Sequence, residues 1–188
     1  MNTKEFEKKL LLTETEYAIL RELFFRGDDA TYSDQVNYYY DTPYQEFHRK
    51  GITCRIRQKN GSLKGTIKTH LHDRKDESLE EDFAVDALPY RFSVSAKTVY
   101  LQGSLYTRRF EVELMSGIRM MLDQNWYLGV CDYELEIEYL PVSSVQAEGV
   151  LATIVHLLQH TLAETERLSK SQRFFLRKND LPDKMVKQ

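Results

Sequence analysis

Apolar and polar residues alternate with a period of two along much of the chain, which is the pattern of half-buried β-strands. The alternating stretches are rich in Tyr, Ile, Val and Thr, the residue types that favour strands. The pattern predicts eight strands, at about 3–11, 36–41, 51–59, 62–69, 79–85, 106–114, 118–124 and 129–139.

Two capping signals indicate where helices begin. Thr13-x-x-Glu16 and Ser143-x-x-Gln146 both have the spacing of a capping box, in which the two side chains satisfy free backbone N–H groups at a helix start. Apolar residues at helical spacing follow each signal. In the second helix they form one broad face, made of Val150, Leu151, Ile154, Val155, Leu158 and Leu162.

The remaining boundaries complete a single-domain organisation. Gly27 is predicted to end the first helix, and a third, short helix is predicted to start after Ser169. The polar segment 179–188 contains Pro182 and is predicted to fray as a C-terminal tail. The expected organisation is one domain over 1–178 followed by that tail.

Asn60-Gly61, between two alternating runs, predicts a hairpin with a two-residue type I′ turn. Because the turn sets the register, Lys59 is expected to pair with Ser62, and the pairs that follow share one face of the hairpin. Like charges opposite each other destabilise a sheet, so an anion would relieve this face. The pairs are Arg57 with Lys64, Arg55 with Thr66, and Thr53 with Lys68.

A second hairpin places opposite charges across from each other. A three-residue loop at 115–117, with Gly117 in the left-handed conformation, pairs Glu113 with Arg119 and Arg109 with Asp123. A two-residue loop would instead pair an apolar residue with Asp123, so polarity favours the longer loop.

The last strand carries carboxylates on one face and apolar residues on the other. Carboxylates in a row repel each other, and a divalent cation would neutralise them. The first strand repeats this arrangement with Glu5, Glu7 and Lys9 on one face. The carboxylates of the last strand are Asp132, Glu134, Glu136 and Glu138.

These faces predict a closed sheet. The apolar face of each strand must pack against the helices, and eight antiparallel strands commonly close into a barrel that leaves no exposed edge. The charged faces then point inward, where they are stable only if opposite charges, water, metal and ligand balance each other. The predicted fold is therefore α+β, an eight-stranded antiparallel β-barrel with flanking helices.

Composition narrows the range of partners. The chain has 188 residues, 41% of them hydrophobic and 29% charged, with a net charge of −3. This balance offers no general attraction to nucleic acid or to an anionic membrane, and no apolar run approaches the roughly 20 residues of a membrane span. The N-terminal residues include no apolar leader, and two cysteines are too few for a disulfide framework, so we expect a cytoplasmic protein.

Several ordered motifs together resemble the CYTH domain family, also called triphosphate tunnel metalloenzymes. Segment 5–9 matches the family signature Glu-x-Glu-x-Lys, segment 37–43 resembles its second strand, and segment 51–57 resembles its Arg-x-Arg strand. The resemblance spans roughly residues 3–176, and further positions fit later family elements. These positions are Lys68, Arg109, Asp123, the Glu134-x-Glu136-x-Glu138 strand and Lys170.

The resemblance implies an enzyme that binds triphosphate in a tunnel with Mg²⁺ or Mn²⁺. The implied phosphate ligands are Lys9, Arg55, Arg57, Lys68, Arg109 and Lys170. The implied metal ligands are Glu5, Glu7, Glu80, Asp123, Glu134, Glu136 and Glu138. The implied catalytic residues are Glu5, Glu7, Lys9 and Glu136. The acidic strand near Glu80 has two possible registers, through Glu80 or through Glu81, and we favour the first.

The expected activity is metal-dependent hydrolysis of a small triphosphate compound, with inorganic tripolyphosphate ahead of nucleoside or thiamine triphosphate. Two alternatives stay open, a class IV type adenylyl cyclase that makes cyclic AMP from ATP and a non-catalytic triphosphate sensor. No nucleic-acid or membrane partner is expected, and the chain is expected to be a monomer or a homodimer.

Histidines carry weaker signals. His156 and His160 have the i, i+4 spacing of zinc-binding helices, but Leu157 occupies the place where a zinc protease needs glutamate. His70 and His72 continue the Lys68 face and could contact phosphate or metal there, yet the charged residues around them favour a solvated loop. Neither pair is therefore predicted to form a site.

Overall fold

An antiparallel sheet that closes on itself dominates the fold. The computed structural model describes residues 3–70, 77–161 and 168–181. Within these residues the strands are β1 (Thr3–Leu12), β2 (Thr31–Asp41), β3 (Ile52–Lys59), β4 (Ser62–His70), β5 (Glu77–Ala84), β6 (Arg91–Val94), β7 (Lys97–Met115), β8 (Ile118–Tyr127) and β9 (Val130–Tyr139). The helices are α1 (Glu14–Phe24), α2 (Glu46–Arg49), α3 (Ser144–Leu158) and α4 (Lys170–Asp180).

The strand order confirms the predicted barrel. Neighbouring strands follow the order β2-β3-β4-β5-β1-β9-β8-β7, and a further pairing of β2 with β7 closes this eight-stranded ring. Strand β6 lies outside the ring and pairs with the start of β7 alone. Every pairing is antiparallel. Because the ring is closed, each of its eight strands has a partner on both sides, and no strand of the ring is a free edge.

Strand β6 and the first half of β7 were not predicted. The turn between them is Ser95-Ala96, whose φ angles are 48° and 61°. Because neither residue is glycine or asparagine, the usual hairpin signal is absent from the sequence. Strand β2 also begins five residues before its predicted start, since its polar segment 31–35 shows no apolar alternation.

Both predicted hairpin registers are confirmed. Asn60 and Gly61 have φ angles of 51° and 77°, as a type I′ turn requires, and the four predicted pairs from Lys59–Ser62 onward are present. In the second hairpin Gly117 has φ 78°, as predicted. Met115 pairs with Ile118, so the loop has two residues rather than the predicted three, and a register shift between Glu113 and Met115 accommodates the additional residue in β7. The predicted pairs of Arg109 with Asp123 and of Glu113 with Arg119 follow.

The helices agree in part with their sequence signals. Thr13 and Ser169 each form a complete capping box, with Glu16 and Gln172 respectively. Ser143 makes no capping hydrogen bond, because a 3₁₀ turn over Pro141–Ser143 precedes α3 and alters the cap geometry. Two boundaries differ from their predictions. Helix α1 ends at Phe24 rather than at Gly27, and α4 extends to Asp180 and so includes the first two residues of the expected tail. Leu162, His72 and 182–188 lie outside the described residues.

The apolar outer faces of the strands form the core. Helices α1 and α3 cover β1, β8 and β9 through residues such as Leu20 and Ile154, which are 0% and 1% exposed. A second cluster around Tyr40 and Ile56 lies under β6. Because these clusters occupy the outside of the ring, the charged faces of the same strands are left to line its interior.

Helix α3 has a property that the sequence analysis did not anticipate. Together with the preceding 3₁₀ turn it covers Pro141–Leu158, 18 residues that are long and apolar enough to cross a membrane by length and composition. The same segment packs on the barrel through Ala147 and Ile154, although only 11% of it is buried. Among the described residues no other helix has this length and composition.

Gly65 in β4 allows a close cross-strand contact, because a Cβ atom built at this position would overlap the ring of Phe83. We predict that Gly65→Ala lowers the free energy of unfolding by about 1–3 kcal/mol, the range for an overpacked core. Gly149 in α3 has no atom within 4 Å of such a Cβ, so Gly149→Ala should raise stability by about 0.5–1 kcal/mol. Urea unfolding measures both, and equal stability of wild type and Gly65→Ala would contradict the prediction.

Candidate functional site

The interior of the barrel holds a charged cavity of about 50 Å³. It exists because cross-strand partners share a face, so a polar residue in one strand meets a polar residue in the next around the whole ring. Its lining is Glu5, Glu7, Lys9, Tyr39, Thr53, Arg55, Arg57, Lys68, His70, Arg109, Glu136, Glu138, Ser169, Lys170 and Ser171.

Strand β3 provides a basic wall, and Arg57 is its least compensated member. Its Nε donates to Asn37 Oδ1 over 2.9 Å, but no carboxylate of the described residues forms a salt bridge with it. Burial, Arg55 and Arg109 all disfavour the charge and lower the pKa of Arg57 to about 9. At neutral pH the wall therefore carries a half-buried cation without a carboxylate partner among the described residues, an arrangement that is normally costly.

Arg55 is only weakly paired on the same wall. Its Nη2 lies 3.5 Å from Glu80 Oε1, and its Nε is buried without a hydrogen-bond partner among the described residues. Lys68 lies 3.5 Å from the same carboxylate oxygen. Strand β5 pairs with β4 so that Glu80 faces Lys68 and Glu81 faces Ile67, which confirms the favoured register.

Strand β1 contributes carboxylates that two lysines hold. Lys68 Nζ lies 2.8 Å from Glu7 Oε1 and also contacts Glu5, while Lys9 Nζ lies 3.0 Å from Glu7 Oε1. Burial opposes the charge of Glu7, but Lys9 and Lys68 overcome it and lower the pKa of this carboxyl to about 2. Glu7 is thus ionised across the physiological range.

A denser network lies against the opposite side of the cavity. Arg109 donates to both oxygens of Asp123, at 2.7 and 2.6 Å, and also contacts Glu136. Lys170 Nζ, at the start of α4, lies 2.8 Å from oxygens of both carboxylates. Burial again opposes ionisation, but Lys170 and Arg109 hold the pKa of Glu136 well below its usual range.

Arg173 is a buried residue of this network that the sequence analysis missed. Its Nε lies 2.8 Å from Asp132 Oδ2, its Nη2 lies 2.7 Å from Glu134 Oε2, and its Nη1 donates to the Leu168 carbonyl over 2.7 Å. It therefore ties α4 to β9 and holds Lys170, one helical turn earlier, over the cavity. The i, i+3 spacing of two cations in a helix next to an acidic strand was the signal that could have revealed it.

The predicted site residues fall into two groups. Most of them line the cavity, but Asp123 and Glu134 lie behind that lining, and Glu80 lines a neighbouring groove together with Glu5 and Glu138. All three contact lysines or arginines. Asp123 and Glu134 are fully buried. The predicted residues that line the cavity are Glu5, Glu7, Lys9, Arg55, Arg57, Lys68, Arg109, Glu136, Glu138 and Lys170.

Glu138 has the opposite electrostatic character from Glu7, its partner across β1 and β9. Burial, together with the charges of Glu136 and Glu5, raises the pKa of Glu138 to about 7. Its nearest cation is Arg119, at 3.8 Å from the carboxylate. Negative charge is therefore in excess at this end of the cavity, whereas positive charge is in excess along β3.

The carboxylates fit a hard divalent cation in chemistry, though not as a complete protein cage. Within the described ranges no group of three or more Asp, Glu, His or Cys side chains is arranged to hold a metal ion. Mg²⁺ commonly takes one or two carboxylates and completes its shell with phosphate oxygens and water. The uncompensated charge at Glu138 suits this shared type of binding. His160, expected outside any site, contacts Glu16.

Comparison with known proteins decides the family. The model of the CYTH domain matches residues 3–173. The chain belongs to the CYTH domain family. A CYTH-like relative of Bacillus subtilis (strain 168), named Putative triphosphatase YjbK, is 30% identical over 185 residues, which cover 91% of this chain and 94% of that protein.

Solved structures share the fold. The crystal structure of a protein of Bacillus halodurans, called a putative adenylate cyclase, matches with a TM-score of 0.74 and 23% identity, over 93% of this chain and 98% of the other. Hippeastrum HpAC1, called a putative adenylyl cyclase with a dominant triphosphatase activity, matches with a TM-score of 0.67 and 16% identity, over 97% and 98% of the two chains. At these identities the likeness shows the CYTH fold alone.

The raised pKa of Glu138 predicts a pH-dependent stability difference. An unfolded glutamate titrates near about 4.3, so ionising Glu138 in the fold weakens the protein progressively as pH rises from there to about 7. Glu138→Gln removes this penalty. Without divalent cations, its melting temperature should match that of wild type near pH 4 and exceed it above pH 7.

Calorimetry or thermal melting across that pH range measures the difference. Glu22→Gln, at a glutamate whose side chain is 53% exposed, is the matched control and should give a difference that does not grow with pH in this way. A difference for Glu138→Gln that stays constant from pH 4 to pH 8 would contradict the assignment.

Proposed function

We propose that this protein is a metal-dependent hydrolase of triphosphate compounds and that inorganic tripolyphosphate is its preferred substrate. The observation that carries the proposal is Arg57, a half-buried cation without a carboxylate partner in the described structure, beside the weakly paired Arg55. An anion between the β3 wall and the opposite network would satisfy both. The name of the Bacillus subtilis relative, a triphosphatase, points to the same reaction.

The phosphate chain would contact cations from several strands and from α4. Arginine suits this role because its planar fork donates to two phosphate oxygens at once, while lysine acts as a point charge. Arg109 and Lys170 already hold carboxylates, so the substrate would meet cations whose positions are set before it binds. The proposed phosphate ligands are Lys9, Arg55, Arg57, Lys68, Arg109 and Lys170.

The carboxylates would divide into two roles. Glu5, Glu7, Glu136 and Glu138 line the cavity and would share Mg²⁺ or Mn²⁺ with phosphate oxygens. Glu80, Asp123 and Glu134, expected as metal ligands on resemblance, would instead position the lysines and arginines that they contact. When bound, the cation neutralises phosphate charge and lowers the pKa of a coordinated water.

The proposed reaction needs no covalent bond between the protein and the substrate. Hydrolysis joins a water oxygen to the terminal phosphorus, breaks the bridging P–O bond and releases orthophosphate and diphosphate. Charge spreads over the phosphoryl oxygens in the transition state, so catalysis comes mainly from position and electrostatic stabilisation. Glu5, Glu7, Lys9 and Glu136 are the proposed catalytic residues because they form one connected cluster on the cavity wall. Lys9 contacts Glu7 and Glu136, and Lys68 joins Glu5 to Glu7.

The preference for an inorganic substrate rests on the cavity lining. Charged residues dominate it, and Tyr39 is the one phenolic or indole side chain among them. The ring centroids of Tyr39 and Phe174 are 4.9 Å apart, so Tyr39 packs in the core and does not offer its ring for stacking on a nucleobase. Trp126 packs against Tyr106 on the outer side of the barrel. The cytoplasmic location, the domain over 1–178 and the monomeric or homodimeric state remain predictions.

A substrate panel tests the proposal. Orthophosphate release is measured with Mg²⁺ and with Mn²⁺ for tripolyphosphate, thiamine triphosphate and nucleoside triphosphates, and cyclic AMP is assayed in parallel. We expect the highest kcat/KM for tripolyphosphate. Cyclic AMP formation would indicate the cyclase alternative, and thermal stabilisation by tripolyphosphate without turnover would indicate the sensor. The absence of both turnover and binding for every compound in the panel would overturn the proposal.

Arg57→Met separates the function of Arg57 from a structural role. The substitution keeps similar volume and removes a cation that has no carboxylate partner among the described residues, but it also leaves Asn37 Oδ1 without its donor. These two effects oppose each other, so the melting temperature should change little. kcat/KM for tripolyphosphate should fall by about 10²–10³, the range for loss of one charge-stabilising donor.

Arg26→Met serves as the control, since the Arg26 side chain is 75% exposed just beyond the C-terminal end of α1. It should leave kcat/KM unchanged. A folded Arg57→Met protein that retains wild-type kcat/KM would show that the β3 wall does not bind the substrate.

A further inference from the structure

His70 occupies a different place from the solvated loop that its sequence surroundings suggest. It is the last residue of β4, it pairs with Ser78 of β5, and its backbone N–H donates to the Gly51 carbonyl over 3.2 Å. These contacts hold the residue from both sides. Because it follows Lys68 by two positions, its side chain shares the inner face, and it lines the cavity.

The imidazole of His70 presents an unused hydrogen-bonding group there. Its Nε2 atom is buried, yet it has no hydrogen-bond partner within the described residues. Buried polar atoms in folded proteins are nearly always paired, so each exception calls for a physical explanation. A ligand in the cavity provides one.

The ring is also uncharged, unlike the cations that surround it. Burial comes first among the causes that lower the pKa of His70 to about 4, followed by the positive charges of Lys68 and Lys9. At neutral pH one ring nitrogen donates a hydrogen bond and the other accepts one. Lys68 and Lys9 already contact carboxylates, whereas Nε2 of His70 has no hydrogen-bond partner among the described residues.

We propose that His70 is a substrate-contacting residue whose Nε2–H donates a hydrogen bond to a phosphate oxygen of the bound phosphoanhydride. The inference rests on the proposed function and adds to it a neutral donor among lysines and arginines. Such a donor selects by geometry, because its bond depends on direction more than the attraction of a mobile ammonium group does.

The test compares two substitutions with different hydrogen-bonding ability. His70→Leu removes the donor, whereas the amide nitrogen of His70→Gln can reach the position of Nε2. Affinity is measured by calorimetry with an imido analogue of tripolyphosphate that resists hydrolysis, and kcat/KM is measured with tripolyphosphate itself. The exposed His156 of α3 provides the control variant His156→Leu.

We expect His70→Leu to lower both the affinity and kcat/KM by about 10- to 100-fold, the size of a lost hydrogen bond to a charged group. His70→Gln should recover most of that loss, and His156→Leu should change neither quantity. The melting temperature of His70→Leu should not fall, because the substitution removes a buried group that has no partner.

Several outcomes would overturn the inference. His70→Leu within twofold of wild type in both measurements would exclude a contact, and His70→Gln no better than His70→Leu would exclude a hydrogen bond as its basis. A wild-type protein that binds the analogue but does not hydrolyse tripolyphosphate would refute the proposed function alone, and the affinities would still decide the role of His70. A wild-type protein that does not bind the analogue would refute both.

Discussion

Every part of this structure depends on the need to balance buried charge. A closed barrel whose strands pack their apolar faces outward, under helices, has no place for its charged faces except the interior. Glu136 shows how that interior is stabilised: it is 6% exposed and contacts Lys9, Arg109 and Lys170, which come from β1, β7 and α4. The contacts that keep this carboxylate ionised also tie distant segments of the chain together.

The balance is uneven along the cavity, and the unevenness gives the site its direction. On the β3 side Arg57 lacks a carboxylate, and at the opposite end Glu138 carries more negative neighbours than positive ones. A triphosphate would supply negative charge to the first region, and a divalent cation would supply positive charge to the second. A metal–triphosphate complex matches both deficits, which neither component does alone.

The role of α4 follows from the same constraint. Asp132 and Glu134 continue the acidic face of β9 past the cavity, and Arg173 neutralises both. Phe174 then packs into a cluster with Tyr39 and Tyr127. One helix thus covers the acidic end of the strand through Arg173 and positions Lys170, a proposed phosphate ligand, one turn earlier.

Local rules account for what the sequence could predict. The registers of the β3–β4 and β7–β8 hairpins could be derived because turn chemistry and the two-residue period leave one arrangement that keeps charge on the inner face. Those registers place Arg55, Arg57 and Lys68 together before any coordinates are known.

Other features depend on contacts between distant segments, which no local pattern encodes. The β6–β7 turn uses non-glycine residues with positive φ, so it lacks its usual signal. Spacing marks Arg173 and His70 in the sequence, but their partners become known only from the contacts of α4 with β9 and of β4 with β5. The separation of Asp123 and Glu134 from the cavity lining likewise depends on how deeply Arg109 and Lys170 reach, which residue types alone do not indicate.

A crystal structure of the protein with tripolyphosphate and Mg²⁺, or with the imido analogue, tests most directly whether the barrel interior binds the phosphate chain. The account predicts phosphate oxygens within hydrogen-bond distance of the Arg57 guanidinium, inside the barrel. A phosphate chain bound on the outer surface, with Arg57 still contacting only Asn37, would contradict it.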